Sequence, residues 1–70
     1  MSQGVIVYEA LLANQQSLLR VQSARRAIEQ IGGRVQVDNE PGSAVHIVTL
    51  WLPPSYQPET VLPGLPFYPV

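Results

Sequence analysis

A glycine pair, Gly32-Gly33, divides this chain into two kinds of pattern. Before it, apolar residues recur at helical spacing. After it, they alternate. From Leu18 to Ile31, at about 100° per residue, Val21, Ala24, Ala27, Ile28 and Ile31 fall in one arc of roughly 120°. Gln22, Ser23, Arg26, Glu29 and Gln30 take the other side. The glycine pair supplies a left-handed cap and frees the exit direction. Arg34-Val35-Gln36-Val37-Asp38 then alternates, putting Val35 and Val37 on one face. Asn39-Glu40-Pro41-Gly42-Ser43 has the residues of a tight turn. Ala44 to Leu52 is the longest expected strand. His46, Val48, Leu50 and Leu52 share one side of it, and Val45, Ile47, Thr49 and Trp51 the other. Both sides are largely apolar, so both are expected to be at least partly covered.

The flanks are less regular. Met1 to Gly4 reads as a loose end. Val5-Ile6-Val7-Tyr8 favours a strand, whereas Glu9-Ala10-Leu11-Leu12-Ala13 favours a helix. A strand ending near Tyr8 is the preferred reading; a helix already begun there is the other. Ser17 is placed to cap a fresh helix, unless one helix runs straight through. On such a continuous helix Tyr8, Leu12 and Leu19 form a second apolar stripe, which asks for a second packing partner. Pro53-Pro54 stops the last strand. The tail beyond it carries Pro58, Pro63, Pro66 and Pro69, and Glu59 as its one charge. That composition favours extended, polyproline-like structure. Tyr56, Val61, Leu62, Leu65, Phe67 and Tyr68 suit a strap lying on the chain's own sheet or on another protein.

Ile28-Glu29-Gln30-Ile31-Gly32-Gly33-Arg34-Val35-Gln36-Val37-Asp38-Asn39-Glu40-Pro41-Gly42, with Leu52-Pro53 later, resembles the C-terminal helix-hairpin of the ATP-binding domain of sensor histidine kinases, the GHKL ATPase family. The likeness spans residues 28–53 and implies a helix on an antiparallel hairpin. It lacks the nucleotide-binding parts. Leu18 and Arg20 stand where the ATP-lid glycines belong, and Ser43-Ala44 where a second turn glycine belongs. The upstream helix with its magnesium-binding asparagine and the adenine-binding Asp-Gly segment have no room. The resemblance thus implies no nucleotide binding.

Several chemistries lack their residues. Cysteine is absent and there is one histidine, so neither disulfides nor a one-chain zinc site is expected. His46 sits mid-strand among apolar neighbours and reads as structural or partner-facing. Asp38 and Glu40 flank a turn and read as solvated. No catalytic set and no cofactor site is expected, so the chain is read as not an enzyme. A net charge of −1 gives no footprint for nucleic acid or anionic lipid. No apolar run approaches the ~20 residues of a membrane span, and no secretory leader is visible at the start. The expected location is cytoplasmic.

These readings combine into a small α+β domain over residues 1–52, a β-α-β-β unit with one helix on a short antiparallel sheet. A Pro-rich apolar tail, 53–70, follows. Charged residues make up 13% of the chain, against about 25% in typical domains. That shortage suggests covered surface. The expected function is a non-enzymatic protein–protein interaction module, an accessory subunit or regulator of a larger assembly, working with a protein partner or by self-association. Candidate contact residues are Leu12, Leu19, Arg25, Arg26, Trp51, Tyr56, Leu65, Phe67 and Tyr68. The alternative is a small-molecule-binding regulatory domain acting as a homodimer.

Overall fold

The computed structural model describes residues 4–70. Met1 to Gln3 of the expected loose end lie outside them. The elements are β1 (Ile6–Leu12), α1 (Gln15–Gln30), β2 (Arg34–Asn39), β3 (His46–Leu52), α2 (Pro58–Val61) and β4 (Tyr68–Pro69). The strands form one antiparallel sheet in the order β2-β3-β1-β4, with α1 packed on one face. The expected β-α-β-β unit is therefore present, and the tail adds a fourth strand to it.

β1 does not end near Tyr8. It runs on through the helix-favouring residues to Leu12. The reason is alternation: Tyr8, Ala10 and Leu12 pair with Leu50, Val48 and His46 of β3, and all three are buried in the core cluster shared with α1 and the tail. Burial of three side chains outweighs differences in local propensity of a few tenths of a kcal/mol per residue. The continuous helix and its stripe of Tyr8, Leu12 and Leu19 are thereby ruled out. Tyr8 and Leu12 belong to the core, while Leu19 is 59% exposed.

The helix is capped by Asn14 rather than Ser17. The Asn14 side chain accepts hydrogen bonds from the backbone N–H groups of Gln16 (2.7 Å) and Ser17 (3.3 Å). Its buried face is Leu18, Val21 and Ile28, with Ala24 and Ile31 at the margin. Ala27, expected in that face, is exposed. Leu18 and Ala27 lie on opposite sides of the helical wheel, so one face cannot hold both. Leucine has far more apolar surface to bury.

At the helix end Gly32 adopts φ +88°, and Gly33 N–H donates to the Ile28 carbonyl at 2.9 Å. The hairpin turn closes with Ser43 N–H on the Glu40 carbonyl (2.9 Å) and Gly42 at φ +83°. β3 starts at His46, later than the expected Ala44. Here the Asn39 amide donates to the carbonyls of Ser43 and Val45, and Val45 N–H donates to Ser43 Oγ. These bonds take Val45 out of the ladder.

One helix is about 10 Å wide, whereas a four-stranded sheet spans about 15–20 Å. The tail fills the remainder. It is not a continuous extended segment: it folds into the short helix α2 and then β4. Leu62 is 2% exposed, and Tyr56, Val61, Leu65 and Phe67 pack on the same core. Arg20 fixes the strap from the helix side, its Nη2 donating to the Pro63 carbonyl at 2.6 Å. In β4, Glu9 pairs with Tyr68 and Tyr8 with Pro69, and Val70 N–H donates to the Val7 carbonyl at 2.9 Å.

Candidate functional site: an uncovered sheet face

Alternation sends every second side chain away from α1. On the helix side Val48, Leu50 and Leu52 of β3 are fully buried. On the far side no element of the described residues lies over the strands. Ile47 is 41% exposed and Leu11 54%, while Val7, Thr49 and Trp51 are half-buried only by one another and by their neighbours. The expectation that both sides of β3 are at least partly covered is met fully on the helix side, while on the open side Thr49 and Trp51 are half-buried and Ile47 is exposed. Helix and strap are both committed to the other face.

The register arranges this open face in three rows. Arg34, Trp51 and Val7 form the first, with Val70 beyond Val7. Gln36, Thr49, Glu9 and Tyr68 form the second, and Asp38, Ile47 and Leu11 the third. Apolar side chains thus flank the middle strands β3 and β1, and β2 gives a polar margin. The Arg34 guanidinium lies over the Trp51 ring, 5.2 Å from its centroid. Gln36 Nε2 donates to Asp38 Oδ2 at 2.9 Å. Tyr68 Oη donates to Glu9 Oε1 at 2.8 Å. That bond, then partial desolvation and the Glu9 charge, holds the Tyr68 phenol above the ordinary tyrosine range.

Strand spacing and length give the face roughly 300–400 Å² in plan. The arrangement can bury apolar surface and orient a contact through Arg34, Glu9 and Asp38. Among the described residues, no three or more His, Asp or Glu side chains converge to hold a metal ion.

The residues singled out in the sequence are scattered by the fold. Trp51 and Tyr68 lie on the open face. Leu12 is in the core, buried by the extension of β1, and is out of reach of a partner. Tyr56, Leu65 and Phe67 pack on the core cluster from the strap. Leu19, Arg25 and Arg26 are exposed on α1, away from the open face. Leu19 lines a shallow groove of about 370 Å³ with Arg20, Ser23, Ala24, Val61 and Leu62. The Arg20 guanidinium there is already engaged by Pro63. His46 lies on the helix side, between Leu12 and Asn39, and its buried Nδ1 has no hydrogen-bond partner. Val7, Leu11, Ile47 and Arg34 were missing from the sequence-derived set. Extending the strand from Val5–Tyr8 through Leu12 puts Leu11 on the same face as Val7; its place beside Ile47 comes only from the pairing with β3.

No helix of the described residues is long and apolar enough to cross a membrane. Comparison with protein-family models, with curated proteins and with solved structures finds no match to this chain.

Proposed function

We propose that this chain is a non-enzymatic protein–protein interaction module, an accessory subunit or regulator, that docks through the open face of its sheet. The observation that carries the reading is the uncovered sheet face, where Leu11, Ile47 and Tyr68 are exposed and Val7 and Trp51 half-buried, while helix and strap cover the opposite face. The fitting partner surface is apolar opposite the Val7–Trp51 and Leu11–Ile47 pairs and polar opposite Thr49 and Glu9 between them. A cytoplasmic setting belongs to the same proposal. So does the GHKL likeness, since a relative without nucleotide-binding motifs acts by contact; saturable binding of an ATP analogue would contradict it.

The test is affinity purification of the full chain beside a Leu11→Glu/Ile47→Glu variant, followed by reconstitution with whatever purified protein is retained. Both positions are solvent-facing, so the variant is expected to keep its circular dichroism and melting temperature and to lose the partner. A partner bound equally by both forms, or none bound by the native chain, would overturn the proposal. Truncation at Leu52 is a poorer probe, because it removes Leu62 and β4 from the fold itself.

A further inference from the structure

The outer edge of β2 is free in the strand order β2-β3-β1-β4. Which of its backbone groups point outward follows from the ladder. In an antiparallel pair, residues alternate between bonding one neighbour and bonding the other. Val70 N–H on the Val7 carbonyl shows that Val7 and Glu9 face β4, and Pro69, with no N–H, fits the unbonded pair opposite Tyr8. Tyr8, Ala10 and Leu12 therefore bond β3, which leaves Ile47, Thr49 and Trp51 to bond Asp38, Gln36 and Arg34. Val35 and Val37 are left with their N–H and C=O groups directed away from the sheet.

This edge has few of the usual defences. Arg34 to Asn39 is a regular six-residue strand with no proline and no lysine. Its charges are arranged symmetrically about Gln36: Arg34, Val35, Gln36, Val37, Asp38. We infer that two copies of this chain pair antiparallel through β2, with Gln36 opposite Gln36 at the two-fold axis. In that register Arg34 of each copy lies opposite Asp38 of the other. Val35 lies opposite Val37. All partners emerge on matching faces of one continuous eight-stranded sheet.

Three observations support this register. Val35 and Val37 form the bonded pairs, so their outward N–H and C=O groups exchange four backbone hydrogen bonds across the axis. Arg34 and Asp38 fall at the unbonded pairs, where opposing side chains come closest. The in-chain contacts of these two are weak alternatives: an indole ring for Arg34 and the neutral Gln36 amide for Asp38. On the helix side Val35 is already covered, and half-buried Val37 gains cover from the second copy. The inference is separate from docking on the open face. It uses backbone groups and the Arg34 and Asp38 side chains at the rim, and leaves Leu11 and Ile47 exposed.

Sedimentation equilibrium of the full chain over a concentration series tests it. An edge contact of this size predicts dimers with a dissociation constant of about 10 µM to 1 mM. Arg34→Asp alone and Asp38→Arg alone each turn two attractive pairs into repulsive ones, weakening the dimer by about tenfold or more. An equimolar mixture of the two variants restores association, because each then faces its complement. Val37→Pro removes an outward N–H without touching the bonds to β3 and abolishes dimers while circular dichroism is retained. The Leu11→Glu/Ile47→Glu variant dimerises as the native chain does. A native chain that stays monomeric up to about 2 mM overturns the inference. So does a dimer that ignores the charge reversals and Val37→Pro, or one lost only when Leu11 and Ile47 are changed.

Discussion

At the scale of single residues, the helix-to-strand junction rests on two glycines with different needs. Gly32 needs its conformation, at φ +88°, but has open space around it; an added Cβ meets only Pro53 Cγ at 3.6 Å. Gly33 needs its missing side chain. A Cβ there sits 2.7 Å from the Trp51 carbonyl oxygen and 2.9 Å from Ile28 Cγ2. Neither the ladder oxygen nor the buried isoleucine can yield. Gly33→Ala is therefore expected to destabilise the chain by about 1–3 kcal/mol, and Gly32→Ala by about 1 kcal/mol, measured by urea unfolding. Tyr68 gives a second prediction. Its folded pKa is raised, so the neutral phenol is the form the fold favours. The stabilisation is present below the ordinary tyrosine pKa and is lost as pH rises through the folded value. Phenolate absorbance, compared with Tyr68→Phe, should show Tyr68 titrating late, and Glu9→Gln should bring it back toward the ordinary range.

At the scale of elements, the strap closes the core. Leu62 reaches the cluster from one turn of helix whose N–H bonds come back to Pro58 and Gln57. Leu62→Ala is expected to cost about 2–5 kcal/mol, because α1 and β1 hold the cavity walls in place; thermal unfolding measures it. How far these elements were legible in the sequence follows the strength of their patterns. The Gly32-Gly33 stop, β2 and the Pro41-Gly42 turn each have a local cause and were readable. β1 beyond Tyr8 was not, because the pairing that makes it a strand is with β3, far along the chain. β4 was not either, since two residues carry no periodicity, and a proline inside it argues against a strand. Of the open sheet face, Trp51 and Tyr68 are singled out by residue type. Val7, Leu11 and Ile47 became visible only once the sheet had an inside and an outside.

At the scale of the whole molecule, the uncovered surface of the sheet mixes apolar and charged groups: Glu9 stands on the middle strand β1, and Arg34 and Asp38 stand at the β2 margin. A face of a few hundred square ångströms is below the ~800 Å² per partner of a standard stable complex. On the proposed function, docking through it alone would be brief, and joining two such faces side by side through β2 would double what a partner can grip. The two ends of the sheet are unlike. Beyond β4, Pro69 presents no N–H at the position that would receive another strand, and β4 itself is two residues long. If two copies pair through β2 as inferred, that edge is used up at the first addition and the β4 end does not offer its equal, so the inferred assembly closes at two.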